Sequence, residues 1–318
     1  MAGKPVPEWR TMIYTTPDVR FARLPDWPWA PRLTVVHAGP PGPLRMAHHE
    51  AGPEDGSTVV LLHGDCAWSF GFRHVIPRLA AAGLRVLAVD LPGFGRSDKP
   101  LDPSAYSYAQ MLAWLAEWFD RQGLVHTTLV AQGWGGILGL RLVATWPERF
   151  ARVVVVNAFL PHRRQRLSDG LQRWRAFLQQ ARTFDVAAAV NQLTSRGIGG
   201  AAAEAYKAPF PLERHKVGPR RLPFLLPERA DDPEFDLLDA AWQRLERFDR
   251  PLLVLNGDAD PLMLPYAGEL KARIRGAAGQ PHAILARAGH MVQEDAPDEL
   301  AAHLLAFMGL LDTCPAGP

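Results

Sequence analysis

The sequence predicts an α/β fold with an eight-stranded, mostly parallel sheet, helices on both faces and an inserted helical segment. From residue 58 onward, apolar runs rich in Val and Leu alternate with helical segments, as in βαβ units. These runs lack polar alternation, which is typical of parallel strands buried on both faces. The alternation stops between Phe159 and about Arg229 and then resumes. That interruption indicates an insertion into one domain.

The elements can be assigned in chain order. Two short extended segments, Leu33–Ala38 and Leu44–Glu50, are predicted as edge strands. The later strands are Thr58–Leu62, Arg85–Val89, Thr127–Ala131, Ala151–Asn157, Pro251–Asn256 and His282–Ala286, and the clearest helices are Tyr108–Gln122 and Gly135–Thr145. The domain core is therefore predicted at residues 1–158 and 230–318. A helical cap is predicted at residues 159–229, over the carboxyl ends of the strands, where open α/β sheets bind ligands.

Composition excludes several functional classes. The formal net charge of +2 over 318 residues gives no reason to expect binding to nucleic acid or to an anionic membrane. Only two cysteines occur, Cys66 and Cys314, so no disulfide framework is expected. Met1–Arg10 lacks the apolar stretch of a signal peptide, and no uncharged apolar run reaches the length of a membrane span. We therefore expect a cytoplasmic protein.

The most informative motif is a turn between a strand and a helix. Residues 131–136 read A-Q-G-W-G-G, after the predicted strand Thr127–Ala131. Small residues around a nucleophile at such a corner form the nucleophile elbow of α/β hydrolases, where the nucleophile has a positive φ. Gly133 occupies the position at which Ser, Asp or Cys is expected. The motif thus predicts an α/β-hydrolase fold with a vacant nucleophile position.

A base and an acid follow in the chain order that this fold requires. His290 comes after the last predicted strand, in A-R-A-G-H-M-V. Asp258 and Asp260 come directly after the strand Pro251–Asn256. By spacing, we predict Asp260 as the acid that orients His290, and Asp258 as a turn residue.

Other polar positions carry weaker predictions. Asp65 follows His63-Gly64 after a strand, where a backbone N–H is expected to help form an oxyanion or halide cradle. His48 and His49 are adjacent in a strand and should face opposite sides of the sheet, so they should not share a metal. We expect neither a metal site nor a cofactor.

The sequence resembles the haloalkane dehalogenases, in particular the subfamily whose acid follows the seventh strand. The resemblance runs nearly end to end through T-P-D-V-R-F, V-V-L-L-H-G-D-C-A-W-S-F, D-L-P-G-F-G-R-S-D-K-P, A-Q-G-W-G-G, V-V-V-N-A-F-L, A-Y-K-A-P-F-P and A-G-H-M-V-Q-E. It implies that His290 is the base, Asp260 the orienting acid, and Trp134 and Trp174 the halide-binding tryptophans. It also implies an apolar pocket lined by Ile137, Leu171, Pro223, Leu226, Leu262 and Met263.

The departure from the family concerns the nucleophile. In the family, an aspartate at this position attacks the halide-bearing carbon and forms an alkyl ester that water then hydrolyses. Gly133 has no side chain, so that ester cannot form. The acid at Asp65 is a milder departure, since subfamily members often carry Glu there.

Three hypotheses remain open. The His290–Asp260 pair could act directly as a general base for hydrolysis, elimination or rearrangement. The protein could instead bind small molecules without catalysis, or Gly133 could be an engineered knockout of an active dehalogenase. The expected ligand is a small apolar or halogenated molecule, with a halide ion as a further candidate; the oligomeric state is not predicted. The codon for position 133 in the natural gene separates the third hypothesis from the others.

Overall fold

The computed structural model describes residues 12–229 and 231–311. Met1–Arg10 lies outside the described residues, and so does the prediction about a signal peptide. Cys314 also lies outside them. The strands are β1 (Ile13–Tyr14), β2 (Pro31–Val36), β3 (Leu44–Ala51), β4 (Thr58–Leu62), β5 (Arg85–Val89), β6 (Lys99–Pro100), β7 (Thr127–Gln132), β8 (Phe150–Val156), β9 (Leu252–Gly257) and β10 (Ala283–Leu285). Strands β1 and β6 pair with each other apart from the main sheet.

The main sheet has eight strands in the order β2-β3-β5-β4-β7-β8-β9-β10. Strands β2 and β3 run antiparallel to their neighbours, and the strands from β5 to β10 along this order run parallel. The predicted α/β-hydrolase fold, with an eight-stranded and mostly parallel sheet, is therefore confirmed. The carboxyl ends of β4, β7, β8 and β9 meet at one edge of the sheet, and the loops after them carry the site.

One strand prediction was wrong in its placement. The segment Leu44–Glu50 is not an edge strand, because β3 lies between β2 and β5. Its residues 46–49 are buried, as expected of a strand with neighbours on both sides. Alternation within a single strand reports which faces are covered, but it does not report how many strands lie beside it.

The helices cover both faces of the sheet. They are α1 (Ile76–Ala81), α2 (Tyr108–Arg121), α3 (Trp134–Thr145), α4 (Asp169–Gln180), α5 (Val186–Gln192), α6 (Gly200–Lys207), α7 (Val217–Arg221), α8 (Glu234–Leu245), α9 (Ala267–Arg273), α10 (Val292–Asp295) and α11 (Pro297–Phe307). Helix α3 is buried from Trp134 to Ala144, because it packs against β7, α2 and α8. Its apolar sequence reflects this burial on all sides. Within the described ranges, no helix is long and apolar enough to cross a membrane.

Residues 159–229 add no strand to the sheet and contain α4 to α7. Helix α4 is held against the loop after β9 by Ser168, whose Oγ donates to the Leu262 carbonyl at 2.8 Å and accepts the Leu171 N–H at 3.1 Å. A Cβ atom at Gly170 would overlap the carbonyl oxygen of Pro261. The helix and this loop therefore approach as closely as backbones can. The division of the chain into a core and a cap stays a prediction.

Candidate active site

Gly133 lies at the corner between β7 and α3, with φ +52° and ψ −125°. This backbone conformation suits glycine and strains other residues. The Gly133 N–H donates to the carbonyls of Val156 and Asn157 at 3.1 and 3.2 Å. A Cβ atom at Gly133 would lie 3.1 Å from Nε2 of His290 and 3.2 Å from Cα of Gly64. A side chain at this corner would therefore face the histidine.

His290 and Asp260 form a buried pair. Nδ1 of His290 lies 3.1 Å from Oδ2 of Asp260, and the other carboxylate oxygen accepts the Leu262 N–H at 2.9 Å. An ionised carboxylate only accepts, so we assign a hydrogen to Nδ1. Nε2 then carries the lone pair on the Gly133 side. Asp258 instead accepts the Ala288 N–H at 3.1 Å, which ties its loop to the segment that precedes His290.

The charge of His290 is favoured by two carboxylates. Burial alone would lower the pKa of His290, but Asp260 and, more weakly, Asp65 raise it above its ordinary value. The side chains of all three residues are almost fully excluded from solvent. The site thus holds an imidazole between two buried carboxyl groups.

Asp65 points its carboxyl group into the site. Its Oδ2 accepts the Trp174 indole N–H at 3.2 Å. Its Oδ1 lies 3.8 Å from Nε2 of His290 and has no hydrogen-bond partner. Burial raises the pKa of the Asp65 carboxyl, against the opposing effect of His290. The backbone N–H of Asp65 faces its own carboxylate, so its predicted role in an oxyanion cradle requires that contact to be given up.

Gln132 contacts the base and was missed by the sequence analysis. Its Oε1 accepts the Gly64 N–H at 2.9 Å, and its Nε2 donates to the His290 carbonyl at 3.0 Å. These two contacts fix the orientation of the amide. The same Nε2 lies 3.1 Å from Nε2 of His290, which favours an unprotonated ring nitrogen there because the amide nitrogen can only donate. A polar residue at the end of a buried strand was the available signal.

Asn157 fixes the loop that carries the base. Its Nδ2 donates to the carbonyls of Gly289 and His290 at 2.9 and 3.0 Å, and its Oδ1 accepts the Gly257 N–H at 2.9 Å. It therefore ties the end of β8 to the loops after β9 and β10.

The two tryptophans occupy different environments. Trp134 is buried and packs edge-on against Tyr108, with ring centroids 5.8 Å apart. Its indole N–H has no hydrogen-bond partner within the described residues. The N–H of Trp174 is already used by Asp65. A halide site between the two indoles therefore stays a prediction. The predicted pocket lining also stays a prediction, although its members are all buried: Ile137, Leu171, Pro223, Leu226, Leu262 and Met263.

No metal site is found in the part of the chain that the structure describes. His48 lies 3.3 Å from Glu50 and packs edge-on against Trp118. His49 lies 3.5 Å from Asp90, beside Trp27. The two rings thus have separate partners, as adjacent residues of a strand should.

Comparison with known proteins shows which family the chain is similar to. The family described as the alpha/beta hydrolase fold matches residues 57–297. A haloalkane dehalogenase of Psychrobacter cryohalolentis is 40% identical over 93% of this chain and 98% of its own. Haloalkane dehalogenase 1 of Mycobacterium tuberculosis is 42% identical over 93% of this chain and 98% of its own. The tetrameric structure of the haloalkane dehalogenase DpaA from Paraglaciecola agarilytica superposes with a TM-score of 0.85, at 32% identity, over 92% of this chain and 98% of its own.

Proposed function

Because this chain belongs to the haloalkane dehalogenase family of the alpha/beta hydrolase fold, we propose that it is a hydrolase without a covalent nucleophile. In this proposal the His290–Asp260 pair acts as a general base on water, which attacks a small apolar substrate directly. The observation that carries the proposal is an oriented base beside a missing nucleophile. Nδ1 of His290 is 3.1 Å from Oδ2 of Asp260, and a Cβ atom at Gly133, which glycine lacks, would lie 3.1 Å from Nε2.

The missing side chain leaves room for the attacking water. A Cβ atom at Gly133 would be 3.1 Å from Nε2, so the position that glycine leaves unfilled lies directly beside the base. A water in that space is within hydrogen-bond reach of Nε2, which is the geometry that a general base requires. Ordinary dehalogenation through an alkyl ester is not expected, since loss of a covalent nucleophile costs about a millionfold in turnover.

The residues around the His290–Asp260 pair are proposed to form the cap and the substrate pocket. Residues 159–229 serve as the cap, and Trp134, Trp174 and the apolar residues line the substrate pocket. A halide ion beside Trp174 requires Asp65 to be protonated, because an ionised carboxylate next to it repels an anion. Halogenated compounds are candidate substrates because the relatives are named haloalkane dehalogenases. Other small apolar compounds are candidates because the nucleophile is absent.

The test is a substrate panel with matched variants. Wild type, His290→Gln, Asp260→Asn and Asp258→Asn are assayed with short bromoalkanes, epoxides and small esters, with release of halide, formation of diol and release of acid as the respective readouts. We expect turnover that disappears in His290→Gln, falls strongly in Asp260→Asn and survives in Asp258→Asn. Turnover that persists in His290→Gln at the wild-type rate would contradict a base role for this residue.

A binding protein is the second candidate, and one contact favours it. The Gln132 amide lies 3.1 Å from Nε2 of His290, so the lone pair of the base is engaged in the empty site. A ligand that raises the melting temperature but is never converted, in wild type and His290→Gln alike, would support this candidate over the enzyme.

A further inference from the structure

The geometry points to Asp65 as the general acid of a small-ester hydrolase, in which His290 activates water and Asp65 protonates the carbonyl oxygen of the substrate. This inference rests on the proposed function and names the substrate class: carboxylic esters with short apolar groups. It is carried by the placement of a buried, unpartnered carboxyl oxygen beside the base.

The distance between acid and base selects the reaction. Oδ1 of Asp65 is 3.8 Å from Nε2 of His290. When water attacks a saturated carbon opposite the leaving group, acid and base must stand far apart, roughly 6.5–9.5 Å in the glycosidases that work in this way. When water adds to a carbonyl carbon, the attacking oxygen and the carbonyl oxygen end on the same carbon. Two groups as close as Asp65 and His290 can serve those two oxygens together.

The contacts of Asp65 suit a donor. Its Oδ2 is held by the Trp174 N–H at 3.2 Å, which leaves Oδ1 free and directed into the site. A buried ionised oxygen without a partner is costly, whereas a protonated one can donate to a substrate oxygen. The Gln132 amide, oriented by Gly64 and the His290 carbonyl, favours an unprotonated Nε2. The reaction uses the form with a neutral His290, which is reached above the raised pKa of that residue, and with the proton on Asp65, whose pKa is raised by burial. Asp260 also raises the pKa of this carboxyl group, and the carboxyl group in turn raises the pKa of the adjacent Cys66 thiol.

The reaction balances without a further reactant. Water replaces Gln132 at Nε2 of His290 and gives that nitrogen a proton as its oxygen bonds to the carbonyl carbon. The carbonyl electron pair moves to oxygen, which takes the proton of Asp65. On collapse, the bond from carbon to the alkoxy oxygen breaks, and that oxygen takes the proton from Nε2. The hydroxyl on the carbon returns its proton to Asp65, which leaves a carboxylic acid and an alcohol.

The experiment measures ethyl butyrate hydrolysis by titration of the released acid across pH, with melting temperatures as a folding control. Removal of one donor to a developing oxyanion costs about 10²–10³-fold in kcat, so Asp65→Ala should lose activity by that factor. Asp65→Asn should retain more activity, because the amide still donates. It should also lose the decline at alkaline pH, because an amide has no proton to release. A structural role for Asp65 would not change the shape of the pH profile.

The outcomes separate this inference from the proposed function. If His290→Gln abolishes ester hydrolysis while Asp65→Ala keeps the wild-type kcat, the inference fails and the base role stands. If Asp65→Asn keeps the wild-type alkaline decline, Asp65 is not the acid. If no ester is hydrolysed but another substrate is converted in a His290-dependent manner, the ester class is wrong and the proposed function survives.

Discussion

At the scale of single residues, Gly133 has a backbone conformation that glycine adopts without strain. A side chain at this position would also contact His290 and Gly64 closely. Its φ is +52°, and the nearest atoms to a Cβ there are Nε2 of His290 and Cα of Gly64. The ring of His290 can shift slightly, but the Gly64 backbone cannot shift without moving the loop after β4. Any side chain at this corner thus carries a cost in stability even where it adds chemistry.

Gly133→Asp should restore halide release from short bromoalkanes and lower the stability of the fold. The strained φ costs about 1–3 kcal/mol in the free energy of unfolding. The new carboxylate would stand next to Nε2 of His290, where a covalent ester can form. Halide assays and thermal melts of both forms check this, with Gly133→Ala as the control that carries the strain without the carboxylate. Equal halide release from wild type and Gly133→Asp would mean that the added carboxylate is not the nucleophile.

Asp260→Asn should lower the pKa of His290 and reduce turnover. Asp260 is the leading group that raises this pKa against burial. The equivalent change in a serine protease triad drops kcat about 10⁴-fold. NMR titration of labelled histidines gives the pKa, and Asp258→Asn is the matched control in the same loop. An unchanged His290 pKa in Asp260→Asn would show that the 3.1 Å contact does not act on the charge of the ring.

The sequence was sufficient to prefer Asp260 over Asp258 as the acid that orients His290. It did not reveal that Gln132 contacts the base. The spacing of acids after a strand is local information, and only the second acid lies far enough along the loop to reach back to the base. The Gln132 contact depends on how the end of β7 packs against the loop after β10, which are 158 residues apart in the chain. The orientation of the Asp65 carboxyl group likewise depends on Trp174, which lies in α4 and is 109 residues away in the chain, so a role for that group was not predicted.

At the scale of elements, the strands were predicted well where apolar runs are unbroken. Thr58–Leu62 and Arg85–Val89 match β4 and β5 to the residue, since β-branched and aliphatic runs bounded by polar residues have clear ends. The placement of β3 failed because its neighbours come from distant segments. The helices α4 to α7 were predicted only as a helical stretch, since their docking depends on contacts such as Gly170 with Pro261.

Gly170→Ala should loosen α4 from the loop that carries Asp260. A methyl group there meets the Pro261 carbonyl, and overpacking of this kind costs about 1–3 kcal/mol. We expect a lower melting temperature, a larger accessibility of Trp174 to acrylamide quenching and reduced turnover. Gly200→Ala is the matched control, because no atom lies within 4 Å of a Cβ there. If both variants behave alike, close docking of α4 does not support the site.

At the scale of the whole molecule, a buried lysine ties stability to pH. Lys99 donates to the carbonyls of Gly95 and Ser97 at 2.8 and 2.9 Å, and burial lowers its pKa to about 7. Between that value and its ordinary 10.5, the unfolded chain binds more protons than the folded chain. The contribution of Lys99 to the free energy of unfolding should therefore rise with pH across this window.

Lys99→Met should remove this dependence. The difference in unfolding free energy between wild type and Lys99→Met should grow by about 1.4 kcal/mol per pH unit across the window. Urea denaturation at several pH values between 7 and 10 measures it, with the half-exposed Lys207→Met as a control. The variant also leaves two carbonyls unpaired, so the slope and not the absolute stability is the test. A constant difference would contradict a lowered pKa.

The proposed enzyme is a hydrolase of this fold whose base activates water without a carboxylate nucleophile. The most direct measurement is turnover of a small ester in ¹⁸O-labelled water, followed by mass spectrometry of the product and of the peptides that contain Asp65 and Asp260. Direct attack predicts ¹⁸O in the carboxylic acid product and none in either aspartate beyond a no-substrate control. Incorporation of ¹⁸O into either aspartate carboxyl group during turnover would reveal a covalent intermediate on that carboxyl group and contradict direct attack by water.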